Sequence, residues 1–413
     1  MTPPRTVEQQ LAHVLSHVTP APAEELALAH ARGRTLHDPI RAVVDIPVFD
    51  NSAMDGFAVR YEDVAGASAD RPVTLRVIAD LPAGTDLDPA LGAGEAARIM
   101  TGSPVPTSAE AIVPFEDTAG GLADSLTAVT VLRAPGAAGA HVRRRAADAA
   151  VGAEIVPAGT ALGPLQLAAA AAAGVARARV ARAPRVAVVS TGSELVAPGE
   201  PLRRGQIPES NGLLLAALAA EAGADVVLRT SVDDTDASFL AALDAAAVAG
   251  AEIVITSGGV SAGAFEVVKN VLQGSDVAFT AVAMQPGKPQ GFGRLAGGAL
   301  LFGLPGNPVS SAVSFEVFVR PALLRMQGRT DLHRPVLRLP AASGWRTPPA
   351  RRQYLPAAID RTDPARWTVR PATAGGSGSH LAGGLARAEA YAVVPAEVDA
   401  VAPGDLLDVM LIS

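Results

Sequence analysis

Six short stretches of the 413-residue chain set residues able to do chemistry among the Gly and Pro that shape loops. Phe49-Asp50-Asn51-Ser52-Ala53-Met54-Asp55-Gly56-Phe57 follows neither helix nor strand periodicity. It reads either as a tight turn whose Asp and Asn bond their own backbone, or as a loop tip presenting the Asp55 carboxylate. Ile99 to Pro106 runs from a strand pattern into a Gly/Pro loop, where Thr101 either caps a turn or offers a hydroxyl to an anion or a metal-bound water. Ser190-Thr191-Gly192-Ser193-Glu194 and Ser257-Gly258-Gly259-Val260-Ser261 each follow a strand pattern. Glycines at such places let backbone N–H groups approach phosphate oxygens. Neither loop has the dinucleotide fingerprint or the Walker spacing. Gln285-Pro286-Gly287-Lys288-Pro289 and Gly303-Leu304-Pro305-Gly306-Asn307-Pro308 complete the set, and a lysine between two such loops suits a phosphate or oxyanion.

Acidic residues near these loops are Glu194, the Asp233-Asp234 pair and Glu266. Singly, each is an ordinary exposed acid or helix cap. Beside a phosphate site they are hard oxygen ligands that suit Mg²⁺. His13 and His17 stand at i, i+4 but lack a zincin-type carboxylate, so no metal site is expected there. Arg143-Arg144-Arg145 before Asp148 is either a solvated turn or an anion-facing one.

The composition sharpens this choice. Of 34 Lys plus Arg only Lys269 and Lys288 are lysine, and three of the four asparagines, Asn51, Asn211 and Asn307, fall in the motif loops or at a helix start near them. Net charge is −7, which argues against non-specific nucleic-acid binding. The chain has no cysteine, which excludes disulfides, thiolate catalysis and cysteine-ligated metal sites. The most apolar stretch, Leu165 to Ala173, is too short for a membrane span, and the expectation is a cytoplasmic protein with no membrane partner.

Elements that could position the loops follow from periodicity. Thr6-Val7-Glu8-Gln9 is a capping box opening a helix, and a second helix is expected from Pro22 to Gly33. Short β runs separated by Gly and Pro occupy about 60 to 145. From Arg185 onward, strands alternate with 10- to 15-residue helices, which implies a parallel sheet covered on both faces. In such sheets ligands bind at the carboxyl ends of the strands, where the two Gly-rich loops fall. The last helix runs from about Asn307 to Met326, and short strands follow it. The fold class expected is α/β plus β, in a multidomain elongated chain. A helical and mixed piece (1–50 and 148–183) is followed by a β-rich inserted domain (51–147), a central α/β domain (184–327) and a C-terminal β domain (328–413).

The motifs occurring together and in order carry a resemblance. Asn-Ser-Ala-Met-Asp-Gly (51–56), Met-Thr-Gly-Ser-Pro-Val-Pro (100–106), Ser-Thr-Gly-Ser-Glu-Leu (190–195), Ser-Gly-Gly-Val-Ser (257–261), Pro-Gly-Lys-Pro (286–289) and Gly-Leu-Pro-Gly-Asn-Pro-Val-Ser (303–310) resemble the MoeA family, related to the gephyrin E domain. The resemblance implies a MogA-like central domain and a homodimer whose site lies between the α/β domain of one subunit and the β domain of the other. It implies Mg²⁺- and molybdate-dependent conversion of adenylylated molybdopterin into molybdenum cofactor with release of AMP, the substrate being handed over by a molybdopterin adenylyltransferase. Asp55 and Thr101 would come from one subunit, and Glu194, Asp233, Glu266 and Lys288 from the other, with Glu194 and Asp233 as Mg²⁺ ligands. Ser190, Thr191, Gly192, Ser257, Gly258, Gly259, Ser261, Pro305, Gly306 and Asn307 would bind the substrate. Lys288 with Arg351 or Arg352 and Ser377 or Ser379 would hold molybdate, and Asp148 matches an acid that follows an Arg-rich turn. The chain departs from the family pattern at Gln285 and Ala281, where members carry lysines. It departs also at Glu266 (usually Asp), Ser193 (usually Asp) and Ala146-Ala147 (usually Gly-Glu). Two rival readings are a receptor-anchoring scaffold, as in the gephyrin relative, and a nucleotide-binding adenylyltransferase with the same α/β domain.

Overall fold

The computed structural model describes residues 3–122, 125–260, 267–373 and 382–412. Its central sheet has six strands in the order Asp225–Val232, Arg185–Thr191, Ile253–Ser257, Leu300–Leu304, Pro289–Arg294, Val277–Ala281. The first four are parallel, and the last two join as antiparallel neighbours. The strand Arg185–Thr191 shows why its apolar run is unbroken. Val186 and Val188 pack into one core with Leu215, Phe315 and Leu323, while Ala187 and Val189 pack into another with Phe239, Ala242 and Val268. Successive side chains point to opposite faces, and helices cover both, so every position from Val186 to Thr191 is buried.

The helix that closes this unit starts at Asn307-Pro308, with Pro at its first position as helices favour. It runs as Pro308–Ser314, widens into a π segment at Phe315–Val319, and continues as Arg320–Met326. Pro321 cannot donate the interior hydrogen bond an α-helix needs, and the wider turn before it absorbs the defect.

The β-rich region forms a second six-stranded sheet in which Gly56–Val59 lies between the edge strand Ala111–Pro114 and Glu95–Ile99. Phe57 and Val59 face one core and Ala58 the other. A Cβ on Gly56 would sit 2.1 Å from the Val113 carbonyl oxygen, so only glycine lets the backbones approach there.

The N-terminal helix is Val7–Ser16 with both hydrogen bonds of the capping box formed. The helix expected from Pro22 to Gly33 is not present. Ala23–Ala27 is a strand paired antiparallel with Arg177–Ala181, followed by a single 3₁₀ turn at Leu28–His30. The Ala, Glu and Leu there favour a helix locally, but a partner strand 150 residues away offers ladder bonds and the Arg177–Glu25 ion pair. The alanine-rich run is the helix Pro164–Ala172.

The C-terminal strands form a third sheet, ordered Met284–Gln285, Arg352–Asp360, Ala390–Val394, Leu406–Leu411, Val336–Pro340. Its first strand belongs to the central region. Met284 and Gln285 pair in parallel with Arg352 and Gln353, which sews the two regions together next to Pro286-Gly287-Lys288. Among the described residues no helix is long and apolar enough to cross a membrane.

Candidate active site

The carboxyl ends of the parallel strands open into a cavity of about 760 Å³. Its walls are four of the loops singled out by their residues. The strand Arg185–Thr191 delivers Thr191, Gly192 and Glu194; Ile253–Ser257 delivers Ser257, Gly258 and Gly259; and Leu300–Leu304 delivers Pro305, Gly306 and Asn307. Lys288 enters from the Pro286-Gly287-Lys288-Pro289 loop, and Arg351 from the start of the C-terminal sheet.

Backbone geometry explains the glycines. Gly258 has φ +99°, and a Cβ there would meet the Thr191 carbonyl oxygen at 2.6 Å. Gly287 has φ +102°, and a Cβ would meet Ser314 Oγ at 2.9 Å. At Gly192 a Cβ would come within 2.7 Å of Glu194 Oε2, so the missing side chain leaves the room that this carboxylate fills.

Hydrogen bonds lock the loops to each other. Ser193 N donates to Asp234 Oδ2 at 2.9 Å, and Asp234 N donates to Ser193 Oγ at 3.2 Å, tying the ends of two neighbouring strands. The serine that replaces the family's aspartate is thus an acceptor in this clasp. Glu209 Oε1 accepts from Ser190 Oγ at 2.9 Å and from Gly212 N at 2.6 Å, which caps the helix Asn211–Glu221 with a carboxylate. Asn211 Nδ2 donates to Ser257 Oγ at 2.7 Å and to the Gly306 carbonyl at 2.5 Å. Asn211 Oδ1 and Thr191 Oγ1 are buried and have no hydrogen-bond partner.

Charge is divided across the cavity. Glu194, Glu209 and Asp234 carry the negative charges of its lining, Lys288 and Arg351 the positive ones, and among the described residues none of the five forms an ion pair. An unpaired set of both signs suits a ligand that brings anionic groups and a cation together. Of the expected pair of acids, Asp234 lines the cavity. Asp233 instead accepts from Thr235 Oγ1 at 2.7 Å, and bonds from Ser238 and Thr235 hold its carboxyl below the usual range. The two arginines also separate: Arg351 lines the cavity, while Arg352 pairs with Glu8 of the N-terminal helix. Ser190 lies behind the wall, 1% exposed, as the donor to Glu209. Glu209 is absent from the sequence reading. Its signal is a carboxylate two residues before Asn211, just ahead of an apolar helix.

Asp55 and Thr101 do come together, on the β-rich sheet. Thr101 N donates to Asp55 Oδ1 at 2.6 Å, and with a side-chain bond from Thr101 this lowers the Asp55 pKa. No residue between 51 and 147 lines the cavity among the described residues. Arg144 bonds Asp50 at 2.6 Å and Arg145 pairs with Asp45, so two of the three clustered arginines face acids of their own chain. Asp148 N donates to the Ile46 carbonyl at 2.9 Å. Ser261, Glu266, Ser377 and Ser379 lie outside the described residues.

Comparison with known proteins covers nearly the whole chain. Residues 5–174 match the MoeA N-terminal region (domain I and II), 187–325 the "Probable molybdopterin binding domain", and 338–412 the MoeA C-terminal region (domain IV). The chain is 44% identical over 389 residues to molybdopterin molybdenumtransferase 2 of Mycobacterium tuberculosis H37Rv, spanning 92% of this chain and 93% of that one. It is 32% identical over 411 residues to molybdopterin molybdenumtransferase of Staphylococcus aureus MRSA252, spanning 99% and 96%. A crystal structure of molybdopterin biosynthesis MoeA protein from Pyrococcus horikoshii superposes with a TM-score of 0.80 at 31% identity, covering 99% of both chains. Fold, ordered motifs and these likenesses agree: the chain belongs to the MoeA family of molybdopterin molybdenumtransferases.

Proposed function

We propose that the protein transfers molybdenum from molybdate to molybdopterin presented as its adenylylated form, releasing AMP. The observation that carries this reading is the divided cavity, with unpaired carboxylates on the strand-end loops and Lys288 and Arg351 opposite. The buried Asn211 Oδ1 and Thr191 Oγ1 are acceptors for N–H donors of a bound heterocycle such as the pterin. Backbone N–H groups of the Ser257-Gly258-Gly259 loop approach the phosphates, and Lys288 and Arg351 take the molybdate dianion.

The donor set fits Mg²⁺. Glu194 and Asp234 offer hard oxygens without a cationic partner among the described residues, and Gly192 leaves space for the first of them. Mg²⁺ held there would supply positive charge to stabilise the leaving AMP. Glu194 and Asp234 would hold it, with Asp233 positioning the Asp234 turn through Thr235.

Asp55 and Thr101 complete the site from a second copy of the chain, which makes the working unit a homodimer. Val48 and Phe49, both more than 40% exposed just ahead of the Asp55 loop in the chain, are apolar surface such an assembly would cover. The protein works in the cytoplasm and receives its substrate from an adenylyltransferase. The test is to supply adenylylated molybdopterin and follow AMP release with and without molybdate and Mg²⁺. Release dependent on both is expected, and no release under any condition removes the enzymatic reading.

A further inference from the structure

Among the described residues, three that are not glycine have a left-handed backbone: His141 (φ +58°), Ala146 (φ +59°) and Ala350 (φ +52°). Each borders arginines. His141 and Ala146 enclose the stretch from Val142 to Arg145, where Arg144 and Arg145 pair with Asp50 and Asp45. Ala350 stands directly before Arg351, which lines the main cavity. A residue with a Cβ is disfavoured in this backbone region, so the surrounding structure has to impose it.

Both flanks of the Ala350 turn are fixed. On the N-terminal side, Trp345–Arg346 pairs with Ala400–Val401, and Thr347 N donates to the Asp399 carbonyl at 3.1 Å. Pro348 and Pro349 follow, each with φ set by its ring and the residue ahead of it held extended. On the C-terminal side, Arg352 N donates to the Ala283 carbonyl at 3.0 Å. Arg352 is in register with Met284, and its side chain pairs with Glu8.

The freedom left in the turn therefore belongs to Ala350 and Arg351. If residue 350 left the left-handed region while Arg352 stayed in the ladder, the peptide plane ahead of Arg351 would rotate. The Arg351 side chain would then point elsewhere. Ala350 itself is exposed, so a larger side chain there projects toward solvent and leaves the core unchanged.

We propose that Ala350 is a positioning residue, whose left-handed backbone aims the Arg351 guanidinium into the cavity to take an oxyanion. Arg351 touches the anion, and Ala350 acts only through it. The choice of molybdate as that anion rests on the molybdotransfer reading, whereas the aiming of Arg351 rests on the turn alone.

The test is molybdate binding to the purified full-length protein without pterin, by equilibrium dialysis with elemental analysis. Arg351→Ala is expected to weaken binding about tenfold, as loss of a charged hydrogen-bond partner does. Ala350→Val should come within about threefold of that loss, because a β-branched residue is an outlier in the left-handed region. Ala350→Gly enters that region freely and should keep binding within about twofold of wild type. In the Arg351→Ala background, adding Ala350→Val should change binding less than about twofold, since nothing is left to aim. A crystal structure of the Ala350→Val variant should show negative φ at residue 350 and Arg351 turned out of the cavity. A loss in Ala350→Val that Ala350→Gly does not share, and that vanishes without Arg351, supports the proposal. Unchanged binding in Ala350→Val, an equal loss in Ala350→Gly, or a full further loss in the double variant overturns it. Wild-type protein that takes up no molybdate overturns it too. Turnover is never read, so this inference and the proposed reaction fail separately.

Discussion

The central sheet and the β-rich sheet each carry motif residues, but in different states of completion. At the edge of the central sheet, loops from four strands converge on a cavity with charges of both signs in its walls. On the β-rich sheet, Asp55 and Thr101 satisfy one another through a 2.6 Å bond and face no part of that cavity. The first region brings groups of both signs to one cavity, while the second holds its carboxylate in a bond within its own sheet. Under the proposed homodimer, the carboxylate of one copy would meet the cavity of the other. The difference teaches that residues marked together by sequence motifs need not converge within one chain.

The strongest challenge to that contrast is complementation. Lys288→Ala and Asp55→Ala are each expected to lower molybdate-dependent AMP release about a hundredfold or more, as loss of one preorganised electrostatic group does. If the two regions belong to different subunits, co-refolded mixtures of the two variants should recover about a quarter of the wild-type rate, because half the dimers then contain one intact site. No recovery would place Asp55 and Lys288 in one site or remove Asp55 from it.

A smaller effect separates the regions by backbone. Gly258 and Gly102 both have positive φ, but a Cβ on Gly258 meets Thr191, whereas one on Gly102 meets nothing within 4 Å. Gly258→Ala is expected to cost about 1–3 kcal/mol, and Gly102→Ala only the conformational part, about 1 kcal/mol. Differential scanning calorimetry should show the Gly258 variant melting lower. Equal shifts would mean that the strand-end loops are looser than their contacts indicate.

Glu209→Ala removes the acceptor for Ser190 and for the first turn of the helix Asn211–Glu221, and about 1 kcal/mol of stability should be lost. Urea melts of the variant and the wild type measure it. The smallest effect is titration of the Asp55 bond. The folded pKa of Asp55 is lowered, so its contribution is fully present above the ordinary Asp value of about 4 and disappears as pH falls through the folded value. The melting difference between wild type and Asp55→Asn should be constant from pH 7 to about 4 and shrink below it. A difference that grows on acidification would contradict the Thr101 bond.

Much of this was legible in the residues because the signals were local. The capping box at Thr6, the unbroken apolar run after Arg185 and the Gly-rich loops following strands each depend on neighbours within a few positions. What escaped depended on distant partners. Ala23–Ala27 has a helix-favouring composition, and only the strand Arg177–Ala181 makes it β. The choice between Arg351 and Arg352 is decided by Glu8, more than 340 residues away. Glu209 gains its place from Ser190 and Gly212, which no short window joins.

The parallel pairing of Met284–Gln285 with Arg352–Gln353 has a mechanical meaning. Lys288 and Arg351 ride on the two sides of one hydrogen-bonded seam, while Glu194 and Asp234 are anchored to the far strands of the central sheet. Lys288 leads straight into the central strand Pro289–Arg294, so it shares the rigid frame that carries the carboxylates. A swing of the C-terminal sheet about that seam would leave Lys288 in place and shift Arg351, next to the pivot, least of all that sheet. The seam is a hinge pin set beside the charged walls, so that motion beyond it would reach them only weakly.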